Sequence, residues 1–243
     1  MVKPRVKFIS QLAVPGHFPD DTYAAAPGRD NEVVWVDLIL GKAGVREKIE
    51  YSGLRVTHGD ALPDFNDADA FIIGGSYHNV GDQYPFQLAL IDWIKSARKT
   101  DKPVFGICGG HQLMSAAFGG EISTVETGPM SASLPINLTH AGEGHFLFDD
   151  MEDDLRFHFG NFEHVLKAPT GTTVLATRPE MPAAVIDYGQ NWFSCQYHPE
   201  AHHEIFASAW ADKHPEFMDN YVELPLAPLM LRNFLTGTGV LAV

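Results

Sequence analysis

Short apolar runs alternate with amphipathic stretches over the first half of the chain. Apolar, β-branched runs are typical of buried strands, whereas apolar residues repeated every three or four positions are typical of helices. This pattern predicts strands over residues 5–12, 54–57, 68–73 and 102–108, and helices over residues 30–40, 85–98 and 111–118. Strands that are apolar throughout and alternate with helices predict an α/β fold, with an open, mostly parallel sheet and helices on both faces.

The pattern changes after about residue 120, where successive strands follow one another with few long helices. We predict strands over residues 134–139, 155–159, 173–176, 183–188 and 192–197, and closing helices over residues 203–212 and 227–235. This half is expected to add antiparallel strands to the same sheet or to an edge. Because no Pro-, Gly- or Ser-rich linker divides the chain, residues 1–243 are predicted to form a single domain.

The composition narrows the possible partners. Hydrophobic residues make up 45% of the 243 positions, which excludes overall disorder. Seventeen Lys and Arg stand against 31 Asp and Glu, so the formal charge is −14. This excess repels phosphates, so nucleic acid and anionic membrane surfaces are not expected partners. We find neither a signal peptide nor a membrane-spanning run, and we expect a soluble cytoplasmic protein.

Two cysteines, Cys108 and Cys195, are the first candidates for chemistry. They form no CxxC pair of the kind that binds zinc, and two cysteines do not make a disulfide framework for a chain of this size. Each is therefore either a core thiol or a reactive thiol. Neither of the glycine patterns that hold phosphates, G-x-x-x-x-G-K or G-x-G-x-x-G, occurs around Gly74, Gly75 and Gly81, and no cofactor is expected.

Cys108 lies where a predicted strand turns abruptly into a helix, within Gly106-Ile107-Cys108-Gly109-Gly110-His111-Gln112. Glycines leave room around a nucleophile on such a strained turn. The Gly109 N–H would point at an oxygen bound near Cys108, and the helix dipole would favour the thiolate. A free cysteine is most often a small buried hydrophobe, but the flanking glycines favour the reactive interpretation.

A base for Cys108 is available in Cys195-Gln196-Tyr197-His198-Pro199-Glu200. Glu200 can accept a hydrogen bond from one imidazole nitrogen of His198 while the other faces the thiol, as in a catalytic triad. Cys195 is interpreted as a core residue. The further histidines His202 and His203 do not predict a metal site, since Pro199 breaks the helix that would align them with His198, and no metal is expected.

The two motifs GICGGHQ and QYHPE resemble the G-x-C-x-G-x-Q and Q-[FY]-H-P-E motifs of the class I (triad) glutamine amidotransferases. The resemblance implies a flavodoxin-like sheet in which Cys108 attacks a γ-carboxamide, His198 transfers the proton and Glu200 orients His198. It also implies that the N–H groups of Gly75 and Gly109 hold the oxyanion. Gln112 would help to shape the glutamine pocket.

Two segments depart from the family pattern. Ser76 stands where the family commonly has proline, and the loop that it begins is either a substrate contact or an ordinary surface loop. Within residues 159–164, Asn161 and Phe162 lie where the family often has a segment that lines the amino-acid end of glutamine. A glycine position there is filled by Phe162, whose ring would reshape the pocket. Trp210, His214, Phe217 and Tyr221 either cover the active site, meet a partner or pack against the core, and packing is the expected role.

Three functions remain open. The first is hydrolysis of glutamine through a γ-glutamyl thioester, with ammonia released for a separate acceptor synthase or ligase, since the glutaminase-type domain occupies the whole 243 residues. The second is a γ-glutamyl hydrolase or peptidase that acts on a γ-glutamyl amine or peptide without ammonia transfer. The third is a non-catalytic ligand-binding or regulatory module. The intact Cys108, His198 and Glu200 favour an enzyme.

Overall fold

The computed structural model describes residues 2–151, 154–212 and 214–242. Within these ranges the strands are β1 (Arg5–Ser10), β2 (Glu50–Arg55), β3 (Ala70–Ile73), β4 (Val104–Ile107), β5 (Glu121–Thr124), β6 (Met130–Pro135), β7 (Asn137–Leu138), β8 (Arg156–Asn161), β9 (Glu163–Lys167), β10 (Thr173–Arg178), β11 (Met181–Gly189) and β12 (Trp192–Cys195). The α-helices are α1 (Glu32–Lys42), α2 (Pro85–Ala97), α3 (Gly109–Ala117), α4 (His203–Ser208) and α5 (Leu229–Gly237). Short 3-10 helices span Arg46–Lys48, Val56–His58, Val80–Asp82, Phe146–Phe148 and Pro215–Asn220.

The main sheet has the strand order β2-β1-β3-β4-β12-β11-β10-β7. Neighbours from β2 to β12 pair in parallel, whereas the pairs from β12 to β7 are antiparallel. The order 2-1-3-4 followed by β12 is that of a flavodoxin-like sheet, in which ligands bind beyond the carboxyl ends of the strands. The predicted α/β fold with a mostly parallel sheet and added antiparallel strands is therefore confirmed.

Successive residues of the central strands face opposite sides of the sheet. Phe8, Ile72 and Phe105 belong to one apolar cluster, which includes buried residues of α1 and α5. Their neighbours Ile9 and Phe71 belong to a second cluster, which includes buried residues of α2 and α3. Because each face of the sheet carries its own helices, the strands must be apolar at every position, as the sequence pattern has them.

The predicted strand over residues 134–139 is wrong in one respect, because the structure divides it into β6 and β7. β6 pairs with β8 in a two-stranded ribbon as far as Pro135 and Arg156, and β7 pairs with β10 at the edge of the main sheet. The Ile136 N–H between them still donates to the Leu155 carbonyl oxygen at 2.9 Å. The chain thus passes from one sheet to the other within a single extended segment. Hydrophobic periodicity alone cannot predict such a change of sheet.

Other boundaries differ where polar residues form edge structure. β2 lies at the edge of the sheet and runs from Glu50 to Arg55, earlier than the predicted residues 54–57, because its exposed side chains give no apolar pattern. The ribbon of β5 and β9 is absent from the prediction. The helix predicted over residues 203–212 ends at Ser208, and α5 extends two residues beyond the predicted end, to Gly237. The single domain over residues 1–243 stays a prediction. No helix in the described ranges is both long and apolar enough to cross a bilayer.

Candidate active site

Cys108 lies between β4 and α3 in a backbone conformation that few non-glycine residues adopt. Its φ is 49° and its ψ is −102°, and such conformations persist only where the surroundings hold them. The Cys108 N–H donates to the Cys195 carbonyl oxygen at 2.8 Å, and the Gln112 N–H donates to the Cys108 carbonyl oxygen at 3.0 Å. The strand-to-helix turn predicted from the glycine-flanked motif is therefore present. Both the N–H and the carbonyl oxygen of Cys108 are held by backbone hydrogen bonds.

Gly75 and Gly109 lie side by side next to Cys108. A Cβ atom on Gly109 would lie 2.7 Å from the Ser76 nitrogen, and one on Gly75 would lie 2.9 Å from Cε1 of His198 and 3.6 Å from Cβ of Cys108. Neither position can carry a side chain without displacing a backbone or a catalytic candidate. The structure thus places both predicted oxyanion residues at the thiol, at the carboxyl ends of β3 and β4.

His198 and Glu200 follow β12, the neighbour of β4 in the sheet. Nδ1 of His198 lies 2.7 Å from Oε1 of Glu200, and the two residues are 8% and 4% exposed. The His198 N–H donates to the His158 carbonyl oxygen at 2.9 Å, which ties the histidine backbone to β8. With Nδ1 bound to Glu200, Nε2 is left for the thiol side, as a triad requires.

Charged neighbours control the protonation of His198. Burial by itself lowers the pKa of the imidazole, but the Glu200 carboxylate and the Cys108 sulfur more than offset it, so the pKa lies well above its usual value. Cys108 also acts as a hydrogen-bond partner of His198. A thiolate is the nucleophilic form of cysteine, and an imidazolium beside it favours that form. The arrangement therefore sets the Cys108 sulfur beside an imidazole whose protonated form is favoured.

Asn161 and Gln112 have different positions relative to the thiol. The Asn161 amide Nδ2 donates to Sγ of Cys108 at 3.3 Å and to the Gln196 carbonyl oxygen at 3.1 Å. The Gln112 amide instead donates to the Glu163 carbonyl oxygen at 2.8 Å, and so joins α3 to β9. Of these two predicted substrate-binding residues, Asn161 contacts the nucleophile directly.

Replacing Asn161 by alanine is expected to slow alkylation of Cys108 by iodoacetamide at pH 7 by about tenfold. A hydrogen bond to a charged group contributes about 1.5–3 kcal/mol, and the amide is a donor to the thiolate. Mass spectrometry of the Cys108 peptide measures the rate. The control is Asn220→Ala, which removes an amide that donates to the Ser131 carbonyl oxygen. Equal rates in Asn161→Ala and Asn220→Ala would contradict the assigned contact.

A cavity opens at Cys108, His198 and Glu200. Its further walls are mostly aromatic and aliphatic, and include Leu12, Tyr23, Trp35, Tyr77, Phe162, Ile205, Phe206 and Trp210. Leu12 and Tyr23 come from the segment after β1, and Phe206 and Trp210 from α4 and the turn that follows it. Sequence reasoning missed Tyr23 after β1 and Trp35 on α1, because no local pattern shows which side chains reach a distant strand end.

The two departures from the family pattern both reach this cavity. Ser76 and Phe162 line it, and Oγ of Ser76 also accepts a hydrogen bond from the His78 N–H at 3.1 Å. Phe162 is 42% exposed, and its ring centroid lies 5.7 Å from that of the buried Trp210. Phe162 therefore stands at the mouth of the cavity, and the segment after α4 covers the site as well as packing.

A second buried carboxyl group, that of Glu32, also lines the cavity. It was not among the predicted site residues, because an acid in the first turn of a helix is commonly explained by the helix dipole. Cys195 is fully buried and its S–H contacts the Tyr197 carbonyl oxygen at 3.3 Å. Burial raises the pKa of the Cys195 thiol well above its usual value, which confirms its interpretation as a core residue. The described part of the chain contains no group of three or more His, Cys, Asp or Glu able to hold a metal ion.

Comparisons with known proteins agree on one family. The family described as glutamine amidotransferase class-I matches residues 41–214. The chain is 30% identical over 146 residues to the glutamine amidotransferase-like protein chyE of Penicillium rubens, which covers 59% of this chain and 60% of that protein. It is 28% identical over 205 residues to gamma-glutamyl peptidase 4 of Arabidopsis thaliana, with 82% and 77% covered. It is 28% identical over 170 residues to the glutamine-hydrolysing GMP synthase of Aeropyrum pernix, with 70% and 30% covered.

The matched region thus spans less than two thirds of the Penicillium protein and less than a third of the GMP synthase. Among solved structures, a glutamine amidotransferase from Thermotoga maritima superposes with a TM-score of 0.72 at 17% identity, and the match covers 98% of this chain and 99% of that one. At this level of identity the likeness concerns the fold, and it extends over nearly all of both chains.

Proposed function

Because the chain belongs to the class-I glutamine amidotransferase family, we propose that it hydrolyses the γ-carboxamide of glutamine through a thioester at Cys108. The observation that carries this proposal is the placement of Cys108, on a strained turn, against the buried pair of His198 and Glu200. A nucleophile, a base and an acid that orients the base are the groups that acyl transfer from an amide needs.

In the first half of the reaction the Cys108 thiolate attacks the carbonyl carbon of the glutamine side-chain amide. Negative charge then develops on the carbonyl oxygen, where the N–H groups of Gly75 and Gly109 stabilise it. The C–N bond breaks as the His198 imidazolium gives its proton to the leaving nitrogen, and ammonia departs. The product is a γ-glutamyl thioester on Cys108 beside a neutral imidazole.

In the second half, His198 takes a proton from water as the water oxygen attacks the thioester. The C–S bond breaks, glutamate is released, and the thiolate–imidazolium pair returns. Glu200 holds Nδ1 of His198 throughout, so the same ring serves as acid and then as base. The ammonia passes to an acceptor synthase or ligase supplied by a separate chain.

A second candidate function is hydrolysis of a γ-glutamyl amine or peptide without ammonia transfer. The aromatic cavity beyond Cys108 favours it, because ammonia as a leaving group fills almost no space, whereas an amine or peptide would bury surface against Phe162, Phe206 and Trp210. The similarity to a gamma-glutamyl peptidase over 82% of the chain supports the same candidate.

A panel of glutamine, γ-glutamyl alkylamines and γ-glutamyl dipeptides is expected to distinguish the two candidates. Glutamate and the released amine or ammonia are measured together for each compound. Glutamine as the best substrate, with equal amounts of glutamate and ammonia, agrees with the first candidate. Any γ-glutamyl amide clearly better than glutamine establishes the second. No hydrolysis, together with no labelling of Cys108 by a glutamine-like diazo-ketone, would contradict both and favour a non-catalytic module.

In the same panel, Phe162→Ala is expected to raise KM for an alkylamine or dipeptide substrate about fivefold while changing KM for glutamine by less than about twofold. An aromatic contact contributes about 0.5–1.5 kcal/mol beyond the area that it buries, and only a large leaving group reaches the mouth of the cavity. The matched control is Leu166→Ala, since Leu166 is 48% exposed on β9. An equal change in KM for every substrate would contradict this role of Phe162.

A further inference from the structure

Glu32 is a buried acid at the first residue of α1. It is 4% exposed, and α1 begins here because the side chain of Asn31 accepts a hydrogen bond from the Val33 N–H at 3.2 Å. Its carboxyl group lies against the loop that follows β3. A Cβ atom on Gly74 would lie 2.8 Å from Oε2 of Glu32 and 3.0 Å from Oε1. Glu32 therefore lies against Gly74, the neighbour of the Gly75 whose N–H the proposed reaction uses.

The groups that act electrostatically on Glu32 include a second carboxyl group. The charged and titratable side chains coupled to it are Glu200 and His198 after β12, Tyr23 after β1, Tyr51 on β2 and Tyr77 after β3. In the described ranges Oε2 of Glu32 and Oε2 of Glu200 both lack a hydrogen-bond partner. Two carboxyl groups are thus buried in one cavity wall, and the single imidazole among these groups is bound to Glu200.

Two carboxyl groups buried in one cavity wall disfavour each other's ionised form, because each negative charge opposes the other and both lack solvent. Of the two, Glu200 is the one bound to Nδ1 of His198. Burial and then the charge of Glu200 raise the pKa of Glu32 to about 8, against the smaller opposing effects of Ser10, His198 and the Gly75 N–H.

We propose that Glu32 is a positioning residue of the reaction proposed above: as a neutral acid it supports the Gly74–Gly75 loop and leaves Glu200 as the only carboxylate beside His198. The inference rests on the proposed function for its effect on turnover. An ionised Glu32 would compete with the oxyanion for the Gly75 N–H and would add negative charge where negative charge develops. Turnover therefore depends on the proton of Glu32.

The test compares Glu32→Gln with the wild type over pH 6 to 10, using the best substrate of the panel. In the wild type, kcat/KM is expected to fall towards a tenfold loss per pH unit above about 8. In Glu32→Gln the activity at pH 6.5 is within about threefold of the wild type, since glutamine keeps an uncharged side chain of the same length against Gly74, and the decline that begins near pH 8 is absent. The control is Asp37→Asn on the same helix, because Asp37 pairs with Arg46, and it keeps the wild-type decline.

A second measurement does not need a substrate. Infrared difference spectra of the wild type at pH 6 should contain the band of a protonated carboxyl group, which disappears above pH 8 and is missing in Glu32→Gln. If no amide is hydrolysed, the proposed function fails while the infrared result still decides the state of Glu32. A band that persists in Glu32→Gln overturns the inference. So does a folded Glu32→Gln that is as inactive as Cys108→Ala, or one that changes only KM, since Glu32 would then be a catalytic or a substrate-binding residue.

Discussion

Replacing Cys108 by alanine is expected to lower kcat/KM for the best γ-carboxamide substrate by about 10⁴-fold or more. Loss of a nucleophile removes covalent catalysis altogether, and the remaining rate comes from binding and from the oxyanion donors. Alanine also keeps the side-chain Cβ at φ 49°, so the backbone strain of the turn is unchanged and the loss reports chemistry. Glycine would relieve that strain and change two properties at once. Glutamate release under saturating and limiting substrate measures the effect.

The matched control for this variant is Cys195→Ala. Cys195 is the other thiol of the chain and is fully buried in the core. We expect it to keep activity within about threefold and to lose about 1 kcal/mol in the free energy of unfolding, as small core truncations do. Residual activity of Cys108→Ala within tenfold of the wild type would exclude the thioester route, whatever the behaviour of Cys195→Ala.

Replacing Glu200 by glutamine is expected to lower kcat/KM by about 10³-fold. Oε1 of Glu200 lies 2.7 Å from Nδ1 of His198, and an uncharged partner there both permits the wrong tautomer and stops stabilising the imidazolium. Since the Glu200 carboxylate is the strongest of the contacts that raise the pKa of His198, the variant should hold less imidazolium at neutral pH. The measurements are kcat/KM and the rate of Cys108 alkylation, each against pH.

The control for Glu200→Gln is Glu204→Gln, an exposed acid in the first turn of α4, which should leave both profiles unchanged. Stability gives a separate check. Because folding raises the pKa of His198, its ion pair stabilises the protein fully below the unfolded pKa of about 6.5 and is lost as pH rises through the folded value. The free energies of unfolding of wild type and Glu200→Gln should therefore differ more at pH 6 than at pH 9. If the difference in the free energy of unfolding instead grew with pH, the ion pair between His198 and Glu200 would be contradicted.

Much of the architecture was predictable because it depends on local pattern. Strands such as β3 and β4 are apolar at every position, which is the signature of burial on both faces. The glycine-flanked turn at Cys108 likewise has a local steric cause. The change of sheet after Pro135 could not be predicted in this way. An extended segment that passes from one sheet to another has the same periodicity as a segment that remains in one sheet.

The residues of the candidate site also differ in whether the sequence alone could reveal them. Cys108, His198 and Glu200 were recognisable because their motifs are short, and because each motif places its residue at the end of a strand. The contact of Asn161 with Sγ of Cys108 joins residues 53 positions apart, and no periodicity encodes such a distance. Glu32 is the clearest example of a residue that the sequence could not assign to the site, because there it is an ordinary acid in the first turn of a helix.

Taken alone, the amino-acid sequence was sufficient for the fold class, the family resemblance and the chemical type of the three central side chains, because all of these follow from neighbours along the chain. The aromatic walls of the cavity, the role of Gln112 as a tie between α3 and β9, and the meeting of two carboxyl groups required the folded chain. The cavity and its two carboxyl groups lie where the ends of β3, β4 and β12 converge with the segments after β1 and α4. The pKa of a buried acid depends on what packs against it in space, and so the protonation of Glu32 is a property of the tertiary structure.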